Sequence, residues 1–220
     1  MSMGLLLEGE VLSGNSNILW TKKGIMIKST TALLFSIFLV GSISGQAAIT
    51  GTIRTFTGLP VKNVHISLRD SVGHLLGEAL SQDGNFDMSV AEGGDYTLIF
   101  DKNDNVLNGV SVFDLVLIAK HILGIDPVTN FYYFYAMDVN ASNSISTIDI
   151  IYIRRLVLSV VHEFPAGSWN FVEELSDPEM PFNEVIHLNS IPVNVQLGET
   201  KTVSVIGIKM GDVNGSTTGE

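Results

Sequence analysis

The sequence predicts a multidomain α+β chain: a small antiparallel β-sandwich, then a helical module, then an appended C-terminal β segment. Three observations predict it. Residues 48–101 break into short, strand-like runs divided by Gly, Pro, Asp and Asn turns. Residues 108–124 and 143–159 repeat one pattern, a polar loop running into an amphipathic helix. Residues 163–210 return to strand-like runs.

The chain has 220 residues, 45% hydrophobic and 16% charged, so it is too apolar for disorder and long enough for one or two small domains. Its net charge of −11 lacks the basic surface a nucleic-acid binder needs and suits a cation binder better. There is no cysteine, which excludes disulfides, thiolate metal sites, cysteine nucleophiles and a lipid-modified N-terminal cysteine. At the N-terminus, "MIKSTTALLFSIFLVGSISGQAA" places Lys28 before an apolar run, Ala32 to Val40, and small residues suited to cleavage near 44–47. Residues 1–45 therefore read as a signal peptide with an upstream extension, Met26 being the more natural start. The apolar run is too short for a stable membrane span. The expected location is secreted or at the cell surface.

The first module, 48–101, contains "ITGTIRTF", "VHISLRD", "HLLGEAL", "NFDMSV" and "YTLIF", with turns at "GLP", "DSVG", "DGN" and "GG". Short strands at this spacing predict a small antiparallel sandwich. The stretches "GTIRTFTGLPVKNVHISLRD", "SQDGNF" and "GGDYTLIF" resemble the carboxypeptidase-regulatory-like or prealbumin-like repeats of secreted bacterial proteins. The resemblance implies a carbohydrate-binding-like fold that most often serves as a spacer. Phe86, Tyr96 and Phe100 are expected in its core, and His65 and His74 lack companion ligands.

The stretch "DVNASNSISTID" (138–149) puts an oxygen-bearing side chain at nearly every second position. Oxygens at positions 1, 3, 5, 7, 9 and 12 of a twelve-residue loop are the EF-hand solution to calcium, a hard cation that takes six to eight oxygen ligands. Asp138, Asn140, Ser142, Ser144 (through its carbonyl), Ser146 and Asp149 occupy those positions. Asn143 stands at position 6, where glycine is usual, and Asn tolerates left-handed backbone. Simple N-capping by Ser146 or Thr147 needs one such residue, not the whole alternation. The expected cofactor is Ca2+, held with the modest affinity that two carboxylates give.

An upstream relative lies 149 − 114 = 35 residues earlier: Val110, Ser111 and Asp114 match Ile145, Ser146 and Asp149. Its own loop is degenerate. Counting back from Asp114 gives Asn103 and Asn105 at positions 1 and 3 but Leu107 at position 5. The C-terminal "GDVNGS" repeats the "DVN" of the intact loop, with Asp212, Asn214 and Ser216 at positions 1, 3 and 5. The tail is expected to fold back and lend Asp212 and Asn214 to the incomplete site.

With its duplicated loop and helix and Asp at position 12, the segment 102–162 resembles a type I dockerin. That resemblance implies an EF-hand-like helical pair folded by calcium, with a cohesin-like domain as partner and polysaccharide degradation as the setting. It also implies recognition through residues before the position-12 Asp and along the following helix. Here those are Val112, Phe113 and Lys120 in the first copy, and Thr147, Ile148, Arg154 and Arg155 in the second.

The remaining segment, 163–220, carries "SWNFV", "EVIHL", "VNVQL" and "TVSVIGIKM", expected to pack on the helical module, with Trp169 as a core anchor. The run "FYYFY" (131–135) predicts a short connecting helix with Phe131 and Phe134 inward and Tyr132, Tyr133 or Tyr135 available to a partner. No GxSxG, HExxH or phosphate loop occurs, so no catalytic residue is expected. Three readings follow. The first is a secreted, non-catalytic protein with a calcium-dependent interaction module. The second is a calcium-stabilised carbohydrate-binding or adhesion protein, and the third a purely structural spacer.

Overall fold

Along Ala47–Thr55 (β1), burial alternates, with Ala47, Ile49 and Ile53 facing inward and Thr50, Thr52 and Arg54 outward. This is the period-two pattern of a strand with one covered face. In the computed structural model, which describes residues 46–91, 93–179 and 189–220, the same pattern recurs along the chain. The strands His65–Asp70 (β2), Leu75–Leu80 (β3), Asn85–Val90 (β4) and Gly94–Asp101 (β5) follow β1. Three helices come next: Val112–Ile122 (α1), Phe131–Met137 (α2) and Thr147–Val157 (α3). Trp169–Glu173 (β6), Ser190–Val195 (β7) and Thr200–Lys209 (β8) complete the chain. The expected signal peptide and the "EVIHL" run lie outside the described residues. No helix among the described residues is long and apolar enough to cross a membrane.

Two four-stranded sheets form a sandwich, in the orders β4-β1-β8-β6 and β3-β2-β5-β7. Every pairing is antiparallel except β1 with β8. The core between the sheets holds Ile49, Ile53, Ile66, Leu68, Leu98, Phe171, Val193 and Val205, together with the expected Phe86, Tyr96, Phe100 and Trp169. Pro192 lies in β7, at a sheet edge, where a missing N–H breaks no ladder.

This architecture corrects the expected fold class. The chain is mostly β, with three short helices among its described residues, and no EF-hand helical pair is present among them. The segment expected to be appended, 163–220, instead supplies β6 and β8 to one sheet and β7 to the other. The physical reason lies in β8. Val203 and Val205 face the sandwich core, whereas Ile206, Ile208 and Met210 face a second core under the helices. That second core also contains Val110, Ile118, Tyr135, Met137, Val139, Ile153, Leu156 and Phe164. Helices of 11, 7 and 11 residues cannot bury enough apolar surface by themselves, and the outer face of β8 supplies what they lack.

The aromatic helix α2 also reverses expectation. Tyr132 and Tyr135 are buried, while Phe131 and Phe134 are half-buried. The Tyr132 hydroxyl accepts the Leu175 amide at 2.8 Å, so the phenol enters the interior with its polar end satisfied. At the end of β8, buried Lys209 donates to Ser168 Oγ and sits 5.3 Å from the centre of the Trp169 ring. Burial pushes its ammonium down to about 7, although the Asp104 charge works against the shift.

The duplication in sequence persists to the helix caps. Ser111 and Ser146 cap α1 and α3, and the Asp three residues on bonds back to each cap amide, closing a capping box. Both helices end in a left-handed residue, Gly124 (φ +66°) and Ser159 (φ +55°). In each, paired amide-to-carbonyl bonds form the Schellman arrangement: Ile125 N to Lys120 O at 3.0 Å, and Val160 N to Arg155 O at 2.8 Å.

After α1, His121 Nδ1 accepts the Val128 amide at 3.0 Å, and burial holds its pKa below the usual imidazole value. A folded value below the unfolded one means the contribution is complete above the unfolded pKa of about 6.5. It is lost as pH falls through the lower folded value. His121→Asn keeps an acceptor but cannot take a proton. Thermal melts from pH 7 to pH 5 are expected to fall less steeply for that variant than for wild type; parallel melts would remove His121 as a contributor.

Candidate metal centre

The loop 138–149 hangs between the end of α2 and the start of α3, so both flanks are fixed by packed helices. Asp138 and Asp149 have 0% exposure, while residues 141–144 are exposed, giving a buried carboxylate floor under a solvent-facing rim. The backbone curls around the first carboxylate. Asp138 Oδ1 accepts the Ser142 amide at 3.0 Å and Oδ2 the Asn143 amide at 2.8 Å. Asn140 Oδ1 also accepts the Ser142 amide, at 2.9 Å. The Ser142 hydroxyl donates to the Ser144 carbonyl at 3.1 Å. Asn143 adopts φ +63°, the left-handed conformation position 6 requires, and Ala141 adopts φ +55°.

At the far end, Asp149 Oδ2 accepts the amide and hydroxyl of Ser146, at 2.9 and 3.3 Å. The capping interaction therefore exists, but it uses one carboxylate oxygen. The other, Oδ1, is buried and meets no hydrogen-bond donor at bonding geometry among the described residues. Leaving a buried carboxylate oxygen unsatisfied is costly, so such an atom marks a place for a cation or proton. Burial pushes the Asp149 carboxyl above the usual range. The Asp138 charge pushes the same way, while the Ser146 amide and, more weakly, the nearby Asn140 amide pull back. Either a proton or a metal ion relieves this, and a divalent cation satisfies both carboxylates at once. The donor set of carboxylate, amide, hydroxyl and carbonyl oxygens, without nitrogen or sulfur, fits calcium.

The other expected site residues divide. Asn103 Oδ1 accepts the Ser168 amide at 2.8 Å and is committed to tying the insertion to the start of β6. Asn105 lies with Val106, Leu107 and Asn108 along a cleft against Leu156 and His162. Ser111 and Asp114 are joined by the capping box, and Val213, between Asp212 and Asn214, reaches them: Asp114 Oδ1 accepts the Val213 amide at 2.8 Å. Sequence reasoning missed the Gly109 carbonyl, which accepts the Ser216 hydroxyl at 3.0 Å. The same 35-residue offset that pairs Ser111 with Ser146 pairs Gly109 with Ser144, and that was the available signal. Among the described residues, no group of three or more His, Asp or Glu side chains is placed to hold a metal.

The expected recognition residues are solvent-facing or partly so. Phe113 is 57% exposed and Ile148 52%, with Val112, Thr147, Arg154 and Arg155 also exposed and Lys120 partly so. Phe113, Val116 and Leu123 on the first copy match Ile148, Ile151 and Leu158 on the second, all exposed and all offset by 35 residues. Among the described residues Phe113 is the one exposed aromatic side chain.

No family model matches the chain. No curated protein matches it either. Solved structures of a pilus-presented adhesin, Cpa, in two crystals, align with 78% and 76% of this chain at 9% identity, with TM-scores of 0.22 and 0.23. The chain spans 28% and 27% of the length of those chains, and likeness at this level carries no argument.

Proposed function

We propose that this chain is a secreted, non-catalytic attachment protein in which calcium, held by the loop 138–149, fixes a helical surface that docks a partner protein domain. The observation that carries the reading is the fully buried Asp149 Oδ1, which meets no donor at bonding geometry among the described residues, in a loop that carries oxygen-bearing side chains at alternate positions. Calcium fixes the start of α3, and with it Thr147 and Ile148, which flank the cage and face solvent. The resemblance to type I dockerins makes a cohesin-like domain the first partner to try. Polysaccharide degradation comes with that resemblance alone.

The matched exposed residues of α1 and α3 support docking of a protein and not of a sugar. Large apolar side chains without a covering neighbour form interfaces. Sugar stacking wants exposed aromatic rings, and among the described residues the sandwich offers none.

The test is calorimetric calcium titration of the chelated full-length protein beside its Asp138→Ala variant. Wild type is expected to bind calcium with a dissociation constant of roughly 10⁻⁵ to 10⁻³ M. Asp138→Ala is expected to lose the ion held by this loop. Equal binding by both proteins, or none by either, removes the metal reading. Partner capture is then expected to require calcium and to fail in the Phe113→Asp, Ile148→Asp double variant.

A further inference from the structure

We propose that the C-terminal tail 212–216 and the segment 109–114, about a hundred residues apart in sequence, together form a second calcium cage, and that calcium there clasps the tail to the helical insertion. The proposal rests on the calcium reading of 138–149, because it stands on a correspondence of hydrogen bonds with that loop, which departs from it at Asn214 and at Asp114 Oδ1.

The first half of the intact loop is reproduced by the tail. Asp212 Oδ1 accepts the Ser216 amide at 3.0 Å, as Asp138 Oδ1 accepts that of Ser142 at 3.0 Å. Asp212 Oδ2 accepts the Thr217 amide at 2.8 Å, as Asp138 Oδ2 accepts that of Asn143 at 2.8 Å. Gly215 adopts φ +69° where Ala141 adopts φ +55°. The second half is reproduced by 109–114. The Ser216 hydroxyl donates to the Gly109 carbonyl at 3.0 Å, as that of Ser142 donates to the Ser144 carbonyl at 3.1 Å. Ser111 and Asp114 then repeat Ser146 and Asp149 in the capping box. The chain crosses from one half to the other between positions 5 and 7, where a continuous loop has its turn.

These bonds describe a fold, and a second kind of observation points to a ligand. Asp114 and Asp212 both have 0% exposure, and burial, with Asp114 close by, pushes the Asp212 carboxyl above its usual range. Asn214 Oδ1, at position 3, is buried with no hydrogen-bond partner among the described residues. Thr217, 1% exposed, has its hydroxyl likewise without a partner. The oxygens of these two buried carboxylates take only amides and serine hydroxyls, and with the two orphaned oxygens they make an oxygen-rich set that lacks positive charge, which a divalent cation supplies. The junction leaves no slack: a Cβ on Gly109, at φ +81°, would meet Asp212 Oδ2 at 2.7 Å.

Beyond the cage the tail reaches the sandwich. Gly219 O accepts the Lys62 amide at 3.1 Å, and Lys62 pairs with Glu220 at 3.0 Å. Calcium at this cage thus joins β8, the start of α1 and the loop after β1. Continuous loops of the kind at 138–149 bind their ion within one segment, whereas this cage exists only while the tail is docked.

The test counts ions by calorimetric titration of the full chain with calcium alone. Wild type is expected to bind two ions, Asp212→Ala one and Asp138→Ala one. One ion in wild type, abolished by Asp138→Ala and untouched by Asp212→Ala, would overturn the composite cage and leave the calcium reading of 138–149 intact. No ion in any protein overturns both. Should Asp212→Ala fail to fold, Asn214→Ala removes the side-chain amide that carries the orphaned oxygen and leaves both carboxylates in place, and it is expected to weaken one of the two sites by at least about tenfold. Hydrogen exchange supplies the independent readout. Amides of 213–217 are expected to slow at least about tenfold on adding calcium, in wild type and in Asp138→Ala. Calcium-independent exchange there overturns the clasp.

Discussion

Ile208→Ala is expected to destabilise the sandwich and the helical insertion together, by about 2–5 kcal/mol, in one transition. Ile208 has 0% exposure and lies on the outer face of β8, in the core under the helices, while Val203 and Val205 of the same strand serve the other core. Along this strand Val205 packs between the sheets and Ile206, Ile208 and Met210 pack against the insertion. Removing three carbons from Ile208 opens a cavity between α2 and the sheet that neither side can fill alone. Fluorescence of Trp169, buried in the sandwich core, and far-UV circular dichroism of the helices are expected to give coincident midpoints in wild type and variant alike. As a companion result, residues 102–162 expressed alone are expected to stay unfolded even with calcium, because Ile206, Ile208, Met210 and Val213 are missing from their core. Two separate transitions, or a folded fragment, would show that the insertion is an autonomous domain after all.

The part of this arrangement legible in sequence is the part written locally. Four of the five strands up to residue 101 follow from alternation and turns, because each buries one face and solvates the other; β3 buries neither face and follows from its flanking turns. The cage at 138–149 follows from spacing within twelve residues, and its unusual Asn143 takes the left-handed backbone that its side chain tolerates. Elements whose surroundings come from distant chain are less legible. "TVSVIGIKM" announces a strand, yet nothing within it says that a second layer covers Ile206 and Ile208, so the segment reads as an appendage. In "FYYFY" two faces are equally aromatic, at 131 and 134 and at 132 and 135. The choice between them is made by the Leu175 amide waiting for the Tyr132 hydroxyl, forty-three positions away. The same holds for the tail. A second "DVN" is visible at 212–214, but Gly109 as its complement emerges only once β8 has carried Asp212 alongside Asp114.

Removing calcium is expected to lower the melting temperature of the full chain by roughly 5–10 °C for each occupied cage. A ligand that binds only the folded state at about a hundred times its dissociation constant adds about 2.7 kcal/mol. In a unit of this size 1 kcal/mol moves the midpoint by roughly 2–4 °C. The effect is expected to be specific. Magnesium demands a small, near-octahedral shell and gives up its waters reluctantly, so equal magnesium is expected to recover little of the loss. Asp138→Ala separates ligation from general ionic effects. Its carboxylate accepts two backbone amides that hold the loop's curl, so the variant is expected to be less stable than wild type even under chelation. The discriminating quantity is therefore the calcium-induced rise and not the midpoint itself. That rise is expected to fall by the share of one cage in the variant, and to fall again when Asp212→Ala is added. Melting curves for wild type, the two single variants and the double variant, each with calcium and with chelator, measure it. A rise that survives both substitutions would place the ion elsewhere in the molecule.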